Sequence, residues 1–243
     1  MKKLMMVALC ALAANVARAE TIYNVEIDEL KYTLDTDTKT AELEGYTGSP
    51  TKVDVGEVEY QGQKYIVTEV SLRAVPDCGS LTSVSLPNAT TIGDNAFYGC
   101  GSLTSVSLPN AMTFGEFAVS DCGSLTLVSL PNAKTIGEFA FSGCGSLTSL
   151  ALPNAMMIGG YALNCAALST LVVNPVMKST IETNGRSEYG LSDSVEIIPA
   201  QGDFKYVLEG SVVVPKDRVI PEGHVAVSKE SIAAAKAMTV QIL

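Results

Sequence analysis

Cysteine is the residue type with the most regular spacing in this sequence. Cys78, Cys100, Cys122, Cys144 and Cys165 recur at one position of a repeated segment. Strands stacked about 5 Å apart would bring their Cα atoms within disulfide range. Side chains stacked in parallel point the same way, however, and the five cysteines of the repeat are an odd number, so we predict a column of buried thiols. The spacing also lacks the close cysteine pair and the nearby histidine of a zinc site, and we predict no metal.

The other residues give little basis for catalysis. His224, which follows Pro-Glu-Gly at 221–223, is the one imidazole in the sequence, and no serine stands in a nucleophile motif that it would serve as a base. The Gly-Cys-Gly runs at 99–101 and 143–145 resemble the start of a dinucleotide fingerprint, but the third glycine is missing and a turn between repeats accounts for them. We therefore predict no enzyme, no catalytic residue and no cofactor. Paired-carboxylate chemistry is the one enzymatic route that residue counts leave open.

An acidic column recurs at the spacing of the repeat. Asp94, Glu116 and Glu138 would form a patch for a basic partner, a weak cation site, or a solvated edge that keeps the array soluble. Like charges one coil apart repel by only about 1 kcal/mol or less in water, so all three arrangements are physically acceptable. The formal net charge of −10 argues against a nucleic-acid partner, which requires a basic face.

The next position of the repeat is aromatic in three copies. Phe117, Phe139 and Tyr161 follow Asn95 in this column. Stacked outside the inward positions, these rings would form an apolar stripe typical of interaction sites. They would alternatively pack beneath the turn and cover the edge of the coil.

Small hydroxyl side chains alternate with apolar residues in the strand segment of each copy. Serine and threonine are common on exposed strand faces for solubility alone, and the same ladder would suit a broad, shallow contact with a protein or a glycan. The candidate binding residues on this face are Ser83, Ser85, Ser105, Ser107 and Ser129.

All these residues belong to a segment that the chain repeats. CGSLTSVSLPNATTIGDNAFYG at 78–99 returns at Cys100, Cys122 and Cys144, and a shortened copy begins at Cys165. Self-similarity at a 22-residue period indicates a solenoid whose stacked coils share one core. Three columns at strand spacing should face inward, and they begin at Leu81, Val84 and Leu86.

The second half of each copy carries proline, glycine and alanine at fixed positions. Proline at 87, 109, 131 and 153 cannot donate to a ladder, so the strand should end there. Glycine at 93, 115, 137 and 159 indicates either a positive φ or a close approach of adjacent coils. Alanine next to a larger apolar residue, as in Ala96-Phe97, fills a narrow interior. We expect short strands or helical turns here.

The pattern C-x-S-L-T-S-V-x-L-P-N-A-x-x-I-G-x-x-A-F-x-G resembles the leucine-rich repeats of the BspA-like type, which occur in bacterial surface proteins. The match is strong over residues 53–175 and includes the hairpin sequence VEYQGQKYIVTEV that leads into the array. The resemblance implies a curved, right-handed solenoid, an extracellular or outer-surface location, and a role in adhesion or in binding host or matrix proteins.

Residues 1–19, MKKLMMVALCALAANVARA, have the pattern of an export signal. A charged start precedes a short apolar run, and Ala17-Arg18-Ala19 fits a cleavage site. The run is too short to span a bilayer, so no transmembrane segment is expected after cleavage. We predict a bacterial protein that is secreted or held at the cell surface.

The remaining regions are predicted to be rich in strands. Residues 20–70 should form a β cap on the first coil, with hairpin turns near 35–39 and 61–62, because an open solenoid end exposes apolar surface. The solenoid should occupy 71–175. A small, mainly β C-terminal module at 176–243 should contain a polar loop at 181–193 and a short helix at 231–238. Its strands are expected at 195–200, 204–210, 211–215, 224–228 and 238–243.

The sequence thus predicts a mainly β, right-handed leucine-rich-repeat solenoid of about five 22-residue coils. The predicted function is non-enzymatic binding or adhesion at the cell surface, with a host, matrix or cell-surface protein as partner and a glycan as the second class. The alternative is a structural spacer in a cell-envelope assembly.

Overall fold

The computed structural model describes residues 21–200 and two strands at 206–209 and 212–215. The predicted signal at 1–19, His224, the helix predicted at 231–238 and the strands predicted at 224–228 and 238–243 lie outside the described residues. Within the described part the fold is mainly β, as predicted, and its strands are distributed from Thr21 to Pro215.

The N-terminal region is a set of strands joined to the first coils. Its strands are β1 (Thr21–Ile27), β2 (Leu30–Asp35), β3 (Thr40–Tyr46), β4 (Lys52–Asp54), β5 (Glu57–Tyr60) and β6 (Gln63–Val70). β1, β2 and β3 pair antiparallel, and β3 then pairs parallel with β6. The predicted hairpin turn at Gln61-Gly62 is confirmed, and both residues have the positive φ (50° and 78°) of a tight two-residue turn.

Each repeat contributes two short strands on different sides of the coil. The first strand column consists of β7 (Ser83–Ser85), β9 (Ser105–Ser107), β11 (Leu127–Ser129), β13 (Ser149–Leu152) and β15 (Thr170–Val173). The second consists of β8 (Thr91–Ile92), β10 (Thr113–Phe114), β12 (Thr135–Ile136) and β14 (Met157–Ile158). The pairing is parallel and in register from copy to copy. Each strand of the first column that precedes a repeat proline ends one or two residues before it, as the missing donor requires.

The solenoid has about seven turns, two more than the five copies visible in the sequence. β4 pairs in parallel with β7 and supplies a turn before the first copy. β16 (Glu196–Pro199) pairs in parallel with β15 and supplies one after the last copy. The parallel ladder thus continues beyond residue 175, where the sequence analysis placed the end of the solenoid. The parallel ladder is interrupted once, between β11 and β13.

The interior is built from the predicted columns. Leu81, Val84, Leu86 and their counterparts in the next three copies have exposed fractions of at most 4%. Each such side chain contributes roughly 1.5–3 kcal/mol of transfer free energy. The glycine column is explained by close approach, since a Cβ on Gly115 would lie 2.6 Å from the backbone nitrogen of Asp94.

The prediction of a polar loop at 181–193 is wrong for residues 181–184, which belong to a helix. Helix α1 (Pro175–Asn184) begins after Asn174, whose side chain accepts a hydrogen bond from the Met177 N–H at 2.9 Å. Proline at the first helical position and asparagine as its cap are a favourable start. A 3₁₀ helix (Arg186–Tyr189) follows, and β17 (Tyr206–Glu209) and β18 (Val212–Pro215) form an antiparallel hairpin.

Candidate functional site

The aromatic column forms a continuous stack on the surface. The rings of Phe117 and Phe139 lie 4.8 Å apart at 7°, and those of Phe139 and Tyr161 lie 5.4 Å apart at 6°. Phe117 and Phe139 are half-buried, because each is flanked by a ring of the next coil, whereas Tyr161 is 51% exposed. The rings therefore combine the two arrangements expected from the sequence. They cover the edge of the coil, and they also present a stripe to solvent.

The backbone under this stack is left-handed. Phe117, Phe139 and Tyr161 have φ of 53°, 55° and 53°, and Asn95 occupies the same position with φ of 55°. Asparagine tolerates this conformation well, whereas a bulky aromatic residue is uncommon there. The sequence analysis missed this property, although Asn95 in the first copy is a signal for it.

Hydrogen bonds between coils hold that conformation in place. The N–H of Asn95 donates to the Glu116 carbonyl at 2.7 Å, and the N–H of Phe117 donates to the Glu138 carbonyl at 2.9 Å. The N–H of Tyr161 donates to the carbonyl of Glu188 at 2.8 Å, so the stack ends on the 3₁₀ helix. The backbone that carries the rings is thus fixed by hydrogen bonds to the next coil or to the 3₁₀ helix.

The acidic column runs directly beside the aromatic stack. Asp94, Glu116 and Glu138 are exposed and occupy the residue before each position of the aromatic column. The Asp94 carboxylate accepts a hydrogen bond from the N–H of Glu116 at 2.8 Å. We call the two columns together the stripe, defined as Asp94, Glu116, Glu138, Phe117, Phe139 and Tyr161. It combines apolar rings with negative charge.

The serine ladder is not part of the stripe. Ser83, Ser85, Ser105 and Ser129 are half-buried on the first strand column, and Ser107 is buried. The stripe follows the second strand column, which belongs to a different sheet. The structure therefore separates the predicted surface residues into two sets on different sides of the coil.

A groove along another corner of the solenoid was not foreseen. It has a volume of about 760 Å³ and is lined by the asparagine that follows each repeat proline, together with Met112, Lys134 and Met156. The asparagine side chains each donate to a carbonyl of the preceding coil, as Asn110 does to Pro87 at 2.7 Å and Asn132 to Pro109 at 2.8 Å. These amides join the coils to one another at the corner.

The cysteine column lies entirely in the core. All five cysteines are buried free thiols, which confirms the predicted column. The Sγ of Cys100 donates to the Val75 carbonyl at 3.1 Å, and that of Cys122 donates to the Phe97 carbonyl at 3.2 Å. Burial raises the pKa of both thiols to about 12. At neutral pH they are protonated and joined to the preceding coil, and they are not nucleophiles.

Over the described residues, no group of histidine, cysteine, aspartate and glutamate side chains is arranged to hold a metal ion. No helix in the same part of the chain has the length and apolar character needed to cross a membrane.

Parallel coils of about 22 residues with leucine columns inside define a leucine-rich-repeat solenoid. The family model described as the BspA type leucine-rich repeat region matches residues 68–184 in six copies. A solved leucine-rich repeat protein of T. pallidum is 30% identical, with a TM-score of 0.52, over 61% of this chain and 71% of that one. The chain belongs to the BspA-type leucine-rich repeat family.

Two other solved structures are similar at lower identity. A leucine-rich cell surface protein of Faecalibacterium prausnitzii is 22% identical over 63% of this chain and 55% of that one, with a TM-score of 0.39. A leucine-rich repeat protein of Bacteroides capillosus is 24% identical over 63% of this chain and 99% of that one, with a TM-score of 0.41. No curated protein matches the sequence.

Proposed function

We propose that this chain is an exported, non-enzymatic binding protein of the bacterial surface that recognises other proteins through the stripe. The observation that carries the proposal is the aromatic stack at the surface, half-buried at Phe117 and Phe139 and exposed at Tyr161, on a left-handed backbone. Leucine-rich repeats present large continuous surfaces of this kind to protein partners. The proposal requires that the rings serve binding rather than folding.

The backbone conformation supports this division of roles. A left-handed conformation costs about 1 kcal/mol or more for a residue with a bulky side chain, and less for asparagine. Asn95 shows that the coil forms with asparagine at this position. Unusual conformations of this kind cluster at binding sites, where the surrounding structure maintains them.

The composition of the stripe indicates the chemistry of its partner. Stacked rings offer apolar faces and edges, and the carboxylates of Asp94, Glu116 and Glu138 lie beside them. Arginine and lysine satisfy both features, because their charged heads pair with carboxylates and their stems or planes pack on aromatic rings. The proposed partner is therefore a protein with a basic surface. Because the charges are exposed, the interaction should weaken in high salt.

The proposed location rests on the sequence and on one relative. Residues 1–19 have the pattern of an export signal. The similar protein of Faecalibacterium prausnitzii is itself described as a cell surface protein. Attachment to matrix or host proteins from that location is the adhesive role that we propose.

The test is binding of the protein without residues 1–19 to immobilised extracellular-matrix proteins, chosen to range from basic to acidic isoelectric points. We expect micromolar binding to basic members that weakens between 0.05 and 0.5 M salt, where the screening length shortens from about 14 to 4 Å. The triple variant F117N/F139N/Y161N should bind with an affinity about tenfold or more weaker, as expected for removal of interface aromatic residues.

Two control variants separate the stripe from general stickiness. Tyr23→Asn removes an aromatic side chain that is 67% exposed on β1 and should leave binding unchanged. Asn95→Phe adds a fourth ring to the stack and should strengthen binding. Equal binding by wild type and triple variant would refute the role of the stripe.

A spacer role is distinguished by deleting residues 100–143, two full copies, in register. This deletion removes Phe117 and Phe139, so a binding protein loses its ligand, whereas a spacer only becomes shorter. Retention of binding together with a shortened particle would favour the structural alternative.

A further inference from the structure

We infer that the outward face of the last turns is an intramolecular docking surface, and that the hairpin β17–β18 is the segment that occupies it. This inference concerns the first strand column and is independent of the stripe. It begins with a change of residue type along one outward column. At the position of Ser85, Ser107 and Ser129, the fourth copy carries Ala151.

The change continues in the turns that follow. Ala151 is in register with Val172, and Val172 is in register with Ile198. Their chain neighbours Leu150, Leu152, Leu171 and Val173 face the core, so this column points away from the interior. A column of hydroxyl side chains thus becomes a column of alanine, valine and isoleucine.

The apolar outward face is covered. Ala151 is 6% exposed, and Val172 and Ala200 are each 4% exposed, and with Ile198 they form a cluster separate from the main core. The hydroxyl of Ser149, on the same face of β13, is buried without a hydrogen-bond partner among the described residues. Among the outward serines of this column, only Ser107 is as little exposed, at 6%. Here three apolar side chains and an unpaired hydroxyl are enclosed together, so another segment must lie on the face.

Among the described elements, the segment in that position is β18. Cα atoms of β18 approach those of β13 to within 8 Å. Sheets usually pack about 10 Å apart, and the shorter distance is possible where the facing side chain is as small as Ala151. The hairpin sequence is apolar, with three consecutive valines at 212–214. The interruption of the ladder between β11 and β13 marks the point where the free face ends and the covered face begins.

The hairpin therefore divides the strand face in two. The turns of β7 and β11 leave Ser85 and Ser129 partly exposed on either side of the buried Ser107 of β9. The turns of β13, β15 and β16 receive the chain's own C-terminal segment. A partner that used the strand face would be confined to the serine half. The same contact shields the apolar end of the sheet from a second copy.

The buried native thiols allow a direct test in the protein lacking residues 1–19. Val172→Cys places a reporter thiol on the covered face, and Ser129→Cys places one at the equivalent repeat position on the free face. With a maleimide reagent at pH 7.5, we expect V172C to react at least about 100-fold more slowly than S129C, since reaction requires local opening of the hairpin. Equal rates would overturn the inference.

A second arm identifies the covering segment. Replacing Val212, Val213 and Val214 by aspartate in the V172C protein should bring its labelling rate to within about tenfold of that of S129C, because the docked hairpin is released. The native cysteines serve as the control for folding, since they remain unlabelled in an intact solenoid. Continued protection of V172C in this variant would show that the hairpin is not the cover, and would also overturn the inference.

Discussion

Two aromatic stacks in this molecule have similar geometry and different surroundings. Phe114 and Phe141 stack in the core, with ring centroids 5.1 Å apart and an angle of 10°. Phe117, Phe139 and Tyr161 stack at similar separations on the surface. The inner rings lie on ordinary backbone, and the outer rings lie on left-handed backbone. Stacking is therefore common to both sets of rings, and only the inner pair is explained by packing.

The inner pair also shows how the repeats conserve volume. Three copies place isoleucine at the position of Phe114, and two of them place phenylalanine at the position of Val119. The second copy reverses the sizes, with Phe114 large and Val119 small, and both are fully buried. A fixed interior volume requires such an exchange.

The largest effect is expected from truncating the inner stack. Phe114→Ala removes a fully buried ring and should lower the free energy of unfolding by about 4 kcal/mol. The double variant F114I/V119F restores the pair found in the first and third copies and should differ from wild type by less than about 1.5 kcal/mol. Urea denaturation measures both. A double variant as unstable as F114A would refute the volume exchange.

The close approach of coils predicts the next effect. Gly115→Ala places a Cβ against the backbone of Gly93 and Asp94 and should cost about 3 kcal/mol, because backbone cannot move aside cheaply. Gly123→Ala is the matched control, since a Cβ there meets no atom within 4 Å. Thermal denaturation measures the loss of stability of each variant relative to wild type. Similar losses at both positions would contradict the packing explanation.

The thiol column should contribute less per residue. Cys122→Ala removes a buried S–H donor and a small volume and should cost about 1–2 kcal/mol. Cys122→Ser keeps a donor to the Phe97 carbonyl and is the matched comparison. Denatured, unreduced protein without residues 1–19 should titrate with five free thiols, and a lower number would contradict the column.

The raised thiol pKa values also predict a pH dependence with a definite sign. The pKa of Cys100 and Cys122 is raised from 9.0 to about 12 in the folded protein, so the unfolded chain loses these protons first. Stability from this source is complete below pH 9 and is lost as the pH rises towards 12. The urea midpoint of the wild-type protein should be lower at pH 10.5 than at pH 8, and this difference should be smaller in the C122A protein. An equal fall would show that the thiols are not the cause.

Much of the fold was predictable because the period fixes it. The columns of Leu81, Val84 and Leu86, the proline ends of the strands and the buried thiols all follow from residue types at 22-residue spacing. The first and last turns were missed because β4 and β16 lack the consensus of the copies. Helix α1 was missed although Asn174-Pro175 is a recognisable start, since the ten residues of the helix show weak apolar periodicity.

The candidate site was predictable in composition but not in conformation. The sequence predicts the aromatic and acidic columns, but residue type alone does not establish φ. It also does not decide between positive φ and close approach at Gly93 and its counterparts, where the fold shows close approach. The change from Ser129 to Ala151, Val172 and Ile198 looks like an interruption of the serine ladder. Only the burial of these apolar side chains shows that they belong to a covered face.

The unfolding free energy of the F117N/F139N/Y161N protein tests the central claim that the outer stack is not needed for folding. Three strained positions would be relieved by about 1 kcal/mol each. Against this stand the loss of two ring contacts of about 1 kcal/mol each and the loss of the half-buried area of Phe117 and Phe139, again about 1 kcal/mol each. The account predicts a stability within about 1 kcal/mol of wild type. A loss of more than about 3 kcal/mol, comparable with that of Phe114→Ala, would contradict it and assign the outer rings to the fold.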